Sequence, residues 1–298
     1  YQRRVRGMRI GIFTASFTGN NQHMANLIEQ KLKQIDASLL IEHQSIQKLS
    51  NKIHTNQFQV ADYDAYVIGC WSDCLVPPPF VADVVKKLNL ENKFVLTFNC
   101  HGGDGGLVQA KLHDLITLQN GKWVGHLKMK YCNNYPGLTY PKDDQHVQGI
   151  ISTPLLQVDA QVRDFYQTFK LQKAFEPFVL SKSQKCGNCL CGGLFEGITK
   201  KMGKAGKPAK FQIQDWCVGC GNCVQNCPMA CIELQNGKAV FVHKERCVGC
   251  FGCFQVCPKK AVLDSDKKLQ AVPQYHFSES QLGDSDKFFL KTELKKKE

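Results

Sequence analysis

No stretch of 18 apolar residues occurs anywhere in this 298-residue chain, so no transmembrane helix is expected. No proton-transfer dyad or activated nucleophile stands out, and no small-molecule substrate is assigned. The loop at residues 14–21 has no lysine, which excludes a nucleoside-triphosphate P-loop there. Cysteine is plentiful, with 16 in the chain, but a secreted disulfide scaffold is shorter and denser in cysteine than this. Thiols kept for metal ligation point to a reducing compartment. The expectation is cytoplasmic, with the matrix of a mitochondrion or related organelle as the alternative. Arg3, Arg4 and Arg6 behind Tyr1 read as the remnant of a basic targeting segment or as an arbitrary boundary.

Eight of the cysteines fall into two copies of Cys-x2-Cys-x2-Cys-x3-Cys-Pro. The first is Cys217, Cys220, Cys223 and Cys227 with Pro228; the second is Cys247, Cys250, Cys253 and Cys257 with Pro258. This resembles the bacterial-type ferredoxin run, which ligates two 4Fe-4S clusters. Three thiolates two residues apart wrap one face of a cubane, and the fourth, held by the proline turn, serves the other cluster. The expected ligand sets are Cys217, Cys220, Cys223 and Cys257 for one cluster, and Cys247, Cys250, Cys253 and Cys227 for its partner. Gly219, Gly221, Gly249 and Gly252 let backbone N–H groups approach the sulfurs. Zinc patterns, the competing reading, set their Cys-x2-Cys pairs at longer separations.

Upstream of the cysteines, strands and helices alternate. Apolar runs at 8–13, 39–42, 66–69, 94–98 and 123–131 read as strands, and 21–32, 80–88, 107–118 and 155–175 as helices. Five strands with intervening helices predict a doubly wound parallel sheet over residues 1–175. Residues 176–210, with seven lysines and six glycines, read as a linker or arm. Residues 211–265 form a small cluster domain repeating at an offset of 30, and residues 266–298 wrap another surface or remain mobile.

Residues Ser16, Phe17, Thr18, Gly19, Asn20 and Asn21 lie between the first strand and the first helix. Hydroxyls, a glycine and amides at a helix N-terminus make an anion site. The carboxyl ends of strands one, three and four meet at a topological switch point, where open α/β sheets bind ligands. Trp71 supplies an aromatic face for stacking there, and the glycines at 102–106 permit close backbone approach.

The segment from Ser16 to Asn21 looks like the phosphate loop of flavodoxins, Ser/Thr-x-Thr-Gly-Asn-Thr, with Asn21 in place of the final Thr. Two further loops fall where flavodoxins contact the isoalloxazine ring. One carries Cys70, Trp71 and Ser72; the other carries Asn99, His101, Gly102, Gly103, Asp104 and Gly105. Asn134-Tyr135 resembles a further segment of short flavodoxin-like domains joined to ferredoxins. Over residues 8–262 the chain thus resembles the flavodoxin–ferredoxin fusion family. That resemblance implies an α/β flavodoxin-like doubly wound parallel sheet followed by a small α+β dicluster ferredoxin domain. It implies FMN in the first unit, held by the residues just named, and two 4Fe-4S clusters in the second.

Cys186, Cys189 and Cys191 have no assigned role: zinc, a third cluster, a redox pair and a structural loop all fit their spacing. Cys231 reads as packing beside a cluster, and Cys70, Cys74, Cys100 and Cys132 as small hydrophobes. The formal charge is +12, but two clusters and a flavin phosphate bring it to roughly +6. Nucleic acid is therefore not expected as a partner; an acidic redox protein is. The function expected is relay of electrons between FMN, the clusters and that external protein. The alternative is an accessory subunit of a larger complex, with clusters but no flavin.

Overall fold

A computed structural model describes residues 7–73, 75–103, 105–131, 155–171, 210–265, 268–272 and 274–277. Five strands form one parallel sheet: β1 (Arg9–Thr14), β2 (Leu40–Ser45), β3 (Ala65–Trp71), β4 (Phe94–His101) and β5 (Lys122–Lys130). Their order is β2-β1-β3-β4-β5, the flavodoxin-like doubly wound arrangement expected from the sequence. The order reverses between β1 and β3, which puts the switch point where the loops after β1, β3 and β4 converge.

Helices α1 (Asn20–Ile35) and α5 (Leu155–Leu171) cover one face of the sheet. Helices α2 (Ile46–His54), α3 (Pro79–Val85) and α4 (Val108–Thr117) cover the other. With both faces covered, β3 and β4 are buried almost end to end and read as continuous apolar runs. Ile10, Ile12, Val67 and Leu96 point into the first core, Phe13, Tyr66, Ile68 and Val95 into the second. Helix α2 has no counterpart in the sequence reading. Ser45 caps it, its hydroxyl accepting from Lys48 N at 3.4 Å, and Ile46 and Leu49 bury against the core.

The cysteine-rich unit is small. Strand β6 (Phe211–Ile213) pairs antiparallel with β9 (Val262–Asp264), and β7 (Ile232–Gln235) pairs with β8 (Lys238–Phe241). Two short helices, α6 (Asn222–Asn226) and α7 (Gly252–Gln255), occupy equivalent places in the two halves. The 30-residue repeat extends to backbone conformation. Left-handed residues recur in pairs: Gly219 (φ 65°) with Gly249 (66°), Gly221 (76°) with Phe251 (57°), and Ala230 (47°) with Lys260 (49°). Gly252 is helical instead, and its backbone N–H still reaches the Cys250 sulfur, as the sequence reading expected.

This unit sits on the carboxyl ends of the sheet strands. Asn51 Nδ2 of α2 donates to Val224 O at 3.2 Å and Cys227 O at 2.7 Å, and Ser50 Oγ donates to Pro228 O at 2.8 Å. Met229, Val248 and Cys250 pack onto the second core beside Phe17 and Trp71. Residues 274–277 then cross back to the sheet unit. Gln274 Nε2 donates to Phe254 O and to Cys257 O, Tyr275 OH bonds Asn20 Oδ1 at 3.2 Å, and Phe277 N donates to Thr18 O at 2.7 Å.

Candidate redox centres

Cys217, Cys220, Cys223 and Cys257 line one recess, with about 360 Å³ of space between its walls, partly open to solvent. Cys227, Cys247, Cys250 and Cys253 line a second of about 320 Å³, together with Cys231. Each recess takes three thiols from one half of the repeat and its fourth from the other. Among the described residues no three His, Cys, Asp or Glu side chains could hold a single metal ion. The thiols surround a space suited to a larger group, whereas tetrahedral zinc draws four sulfurs to about 2.3 Å.

Backbone N–H groups reach the sulfurs symmetrically: Cys231 N donates to Cys227 Sγ and Ala261 N to Cys257 Sγ, both at 3.2 Å. Such bonds tune a cluster's potential. Burial raises the thiol pKa of Cys223 to about 11 and pushes Cys250 and Cys253 well above the ordinary value. These sulfurs would give up their protons on holding a cluster, because a coordinating sulfur is a thiolate.

The sheet unit's loops are built differently. Gly19 (φ 96°) precedes α1, which has no side-chain cap and no acidic residue in its first turn. Ser16 Oγ accepts from Gly19 N at 3.1 Å, and Gln47 clasps the loop by accepting from Ser16 N and donating to Ser16 O. Asn21 is turned inward, its Oδ1 accepting from Cys100 N at 3.1 Å, which ties α1 to β4. Asn20 Oδ1 is taken by Tyr275. Phe17 lies against Trp71, ring centroids 5.2 Å apart. Cys70 is fully buried, and that burial pushes its pKa well up.

Near the end of β4, Asn99 closes a line of hydrogen bonds absent from the sequence reading. Trp123 Nε1 donates to Thr97 Oγ1 at 2.8 Å, Thr97 Oγ1 meets His126 Nδ1 at 2.8 Å, and His126 Nε2 meets Asn99 Oδ1 at 2.7 Å. An amide oxygen cannot donate, so Nε2 carries the proton and Nδ1 accepts. Burial keeps this imidazole neutral, lowering its pKa to about 3. Asn99 Nδ2 is left buried without a partner, 3.0 Å from where a side chain at Gly105 would begin. Thr14 Oγ1, at the end of β1, is likewise buried and unpartnered. Ser72 Oγ reaches Gly105 O at 3.4 Å, Gly103 is exposed and Gly102 half-buried. His101 is half-buried at the end of β4. Asp104, Cys74, Cys132, Asn134, Tyr135, Cys186, Cys189 and Cys191 lie outside the described residues. Uncapped first-turn amides, an orphan N–H and an orphan hydroxyl at the switch point fit a ligand with a phosphate and a hydrogen-bonding ring edge.

Comparison with known proteins separates the two units. Residues 216–261 match the 4Fe-4S dicluster domain family. Ferredoxin-2 of Desulfomicrobium norvegicum is 65% identical over 26 residues, which are 9% of this chain and 44% of that protein. The chain therefore spans under half the length of that curated relative. Solved structures similar to the sheet unit include an archaeal flavodoxin at 12% identity, covering 55% of this chain and 99% of that one, with a TM-score of 0.37. A Fusobacterium nucleatum flavodoxin bound to flavin mononucleotide is 14% identical, covering 56% and 99%, with a TM-score of 0.34. The strand order defines a flavodoxin-like α/β unit, and the unit joined to it carries the match to the 4Fe-4S dicluster domain family.

Proposed function

We propose that this chain relays single electrons between FMN at the switch point, two 4Fe-4S clusters and an external redox protein. Cys217, Cys220, Cys223 and Cys257 hold the first cluster; Cys247, Cys250, Cys253 and Cys227 hold the second. Bound FMN would supply exchange of one or two electrons, where each cluster passes one. The uncapped amides of α1, with Ser16 and Thr18, hold the phosphate. Asn99 Nδ2, aimed by His126, donates to the ring edge, and Trp71 flanks it.

One observation carries this reading. Cys250 of the second recess packs on the same core as Phe17 and Trp71, side chains of the loops that flank the flavin site. This packing supports a second cluster lying against the flavin loops, with no separate docking step. The test is flash reduction of the flavin in the anaerobic holo-protein, followed by flavin and cluster absorbance. Cluster reduction is expected to be first order and independent of protein concentration; a rate that scales with concentration overturns the relay.

A second reading has its own support. Tyr275 and Phe277 bond the phosphate loop directly, as a segment sealing an unused site would. On that reading the chain is an accessory subunit with clusters alone. Flavin and iron quantitation on freshly isolated protein separates the two: about eight irons are expected on either, and FMN only on the first.

A further inference from the structure

The internal repeat shows how one of its loops docks, and among the described residues nothing is packed on the equivalent loop in the same way. Val248 and Cys250 of the second half, with Met229 at the end of the first, are packed on the sheet unit's core. Thirty residues away in the repeat stand Lys259, Val218 and Cys220. Val218 is 57% exposed, and Cys220 and Lys259 are exposed as well, around the first recess. The apolar rim is widened by Trp216, 52% exposed, whose Nε1 donates to Lys259 O at 3.2 Å. Leu234 adds to it, with Cδ1 3.7 Å from where a side chain at Gly221 would begin. Exposed apolar side chains grouped in this way mark an interaction site.

We propose that this face, centred on Val218 and Cys220, is the port through which electrons leave or enter the chain. Its occupant is a separate one-electron carrier protein with an apolar docking patch and a carboxylate-bearing rim. The inference deepens the relay reading and rests on it. The repeat supplies the apolar part: a valine beside a cluster cysteine is what the second half packs against the sheet unit's second core. Charge supplies the rest. Where the inner face has Met229, the outer has Lys259; Lys260 follows it, and Lys238 reaches in to donate to Asp215 O at 2.8 Å. Asp215 and Glu233 are exposed acids among these residues, beside Lys238, Lys259 and Lys260. Opposite charge on the partner speeds encounter, and an apolar centre fixes the approach. In the outward direction the first cluster is oxidised by one electron and the partner's centre is reduced by one; no bond forms and no proton moves.

The test uses the holo-protein, reduced and freed of reductant, mixed rapidly with an oxidised acidic c-type cytochrome or a basic one. Haem reduction reports the transfer. The acidic cytochrome should react faster, with a second-order rate constant that falls as salt rises. Val218→Glu and Lys259→Glu should each slow it about tenfold. Leu118→Glu, on the exposed residue after α4, should leave it unchanged. Equal rates in all three variants, or preference for the basic cytochrome, would overturn the port. A dimer in sedimentation that Val218→Glu dissociates would also overturn it, by making a second copy the occupant. The intrachain flavin-to-cluster phase, followed in the same variants, keeps the readings apart. Its absence alongside a slowed Val218→Glu sinks only the relay; its presence alongside an unaffected Val218→Glu sinks only the port.

Discussion

The ring of Phe17 occupies the space that any side chain at Gly252 would need: a Cβ there would lie 2.5 Å from Phe17 Cζ. One residue belongs to the loop between β1 and α1, the other opens the helix that carries Cys253. Gly252→Val should therefore drive the ring into Trp71 and loosen the docked unit, by about 1–3 kcal/mol. Phe17→Ala in the same chain should recover much of that loss. A double-mutant cycle of thermal unfolding reads the coupling; additive effects would show that the contact does not matter.

Asn51 presents one amide to two carbonyls of the cluster unit, Val224 O and Cys227 O. Replacing it by Ala leaves both without this donor, at a cost of about 1–3 kcal/mol. Limited proteolysis should then release the cysteine-rich unit sooner, while iron content stays the same.

The mixed thiol sets make a wiring prediction. Cys227→Ala should alter the cluster otherwise held by Cys247, Cys250 and Cys253, and Cys257→Ala the one held by Cys217, Cys220 and Cys223. Paramagnetic resonance of the two reduced variants assigns each loss. The opposite assignment would refute the crossing.

At the flavin site, Thr18→Ala should weaken FMN by about 1.5–3 kcal/mol, as for one hydrogen bond to a charged group. Asn99→Leu should weaken it too, through the ring edge instead of the phosphate. Fluorescence titration measures both, and cluster absorbance should not change in either.

Two histidines, His126 buried and His23 half-buried, set an acid limit. Burial lowers His126 to about 3 and His23, which stacks on Phe277 at 4.3 Å, to about 4. Below the ordinary value of 6.5 the unfolded chain takes up these protons and the folded chain does not. Stability should thus fall as pH drops from 6.5, by up to about 1.4 kcal/mol per unit for each histidine. The loss levels off once the folded values are passed. His126→Gln should flatten part of the slope in pH-dependent melting.

The fold was legible because its signals are local. Val67, Ile68, Leu96 and Phe98 announce buried strands by composition, and the cysteine spacing announces the recesses. Helix α2 escaped because its apolar positions, Ile46, Leu49 and Ile53, are few and the helix is short; the Ser45 cap was the available signal. The inward turn of Asn21 and the contact of Phe17 with Gly252 were not legible, since each depends on a partner 79 or more positions away. Thr97, Trp123 and His126 read as ordinary strand residues until the β4–β5 register sets them side by side. Tyr275 and Phe277 lie in a stretch without period, and only the folded chain shows where they go.

Unequal wetting of two repeated loops gives the wire a slope. An added electron makes a cluster more negative, and a dry surround penalises that charge more than a wet one. Cys250 faces the sheet unit's core and Cys220 faces solvent. Under the proposed ligation, burial sets the inner centre at the more negative potential, and an electron delivered there runs downhill to the surface. Repetition by itself makes two equal stepping stones. Tucking one of them beneath a neighbouring domain makes two unequal ones.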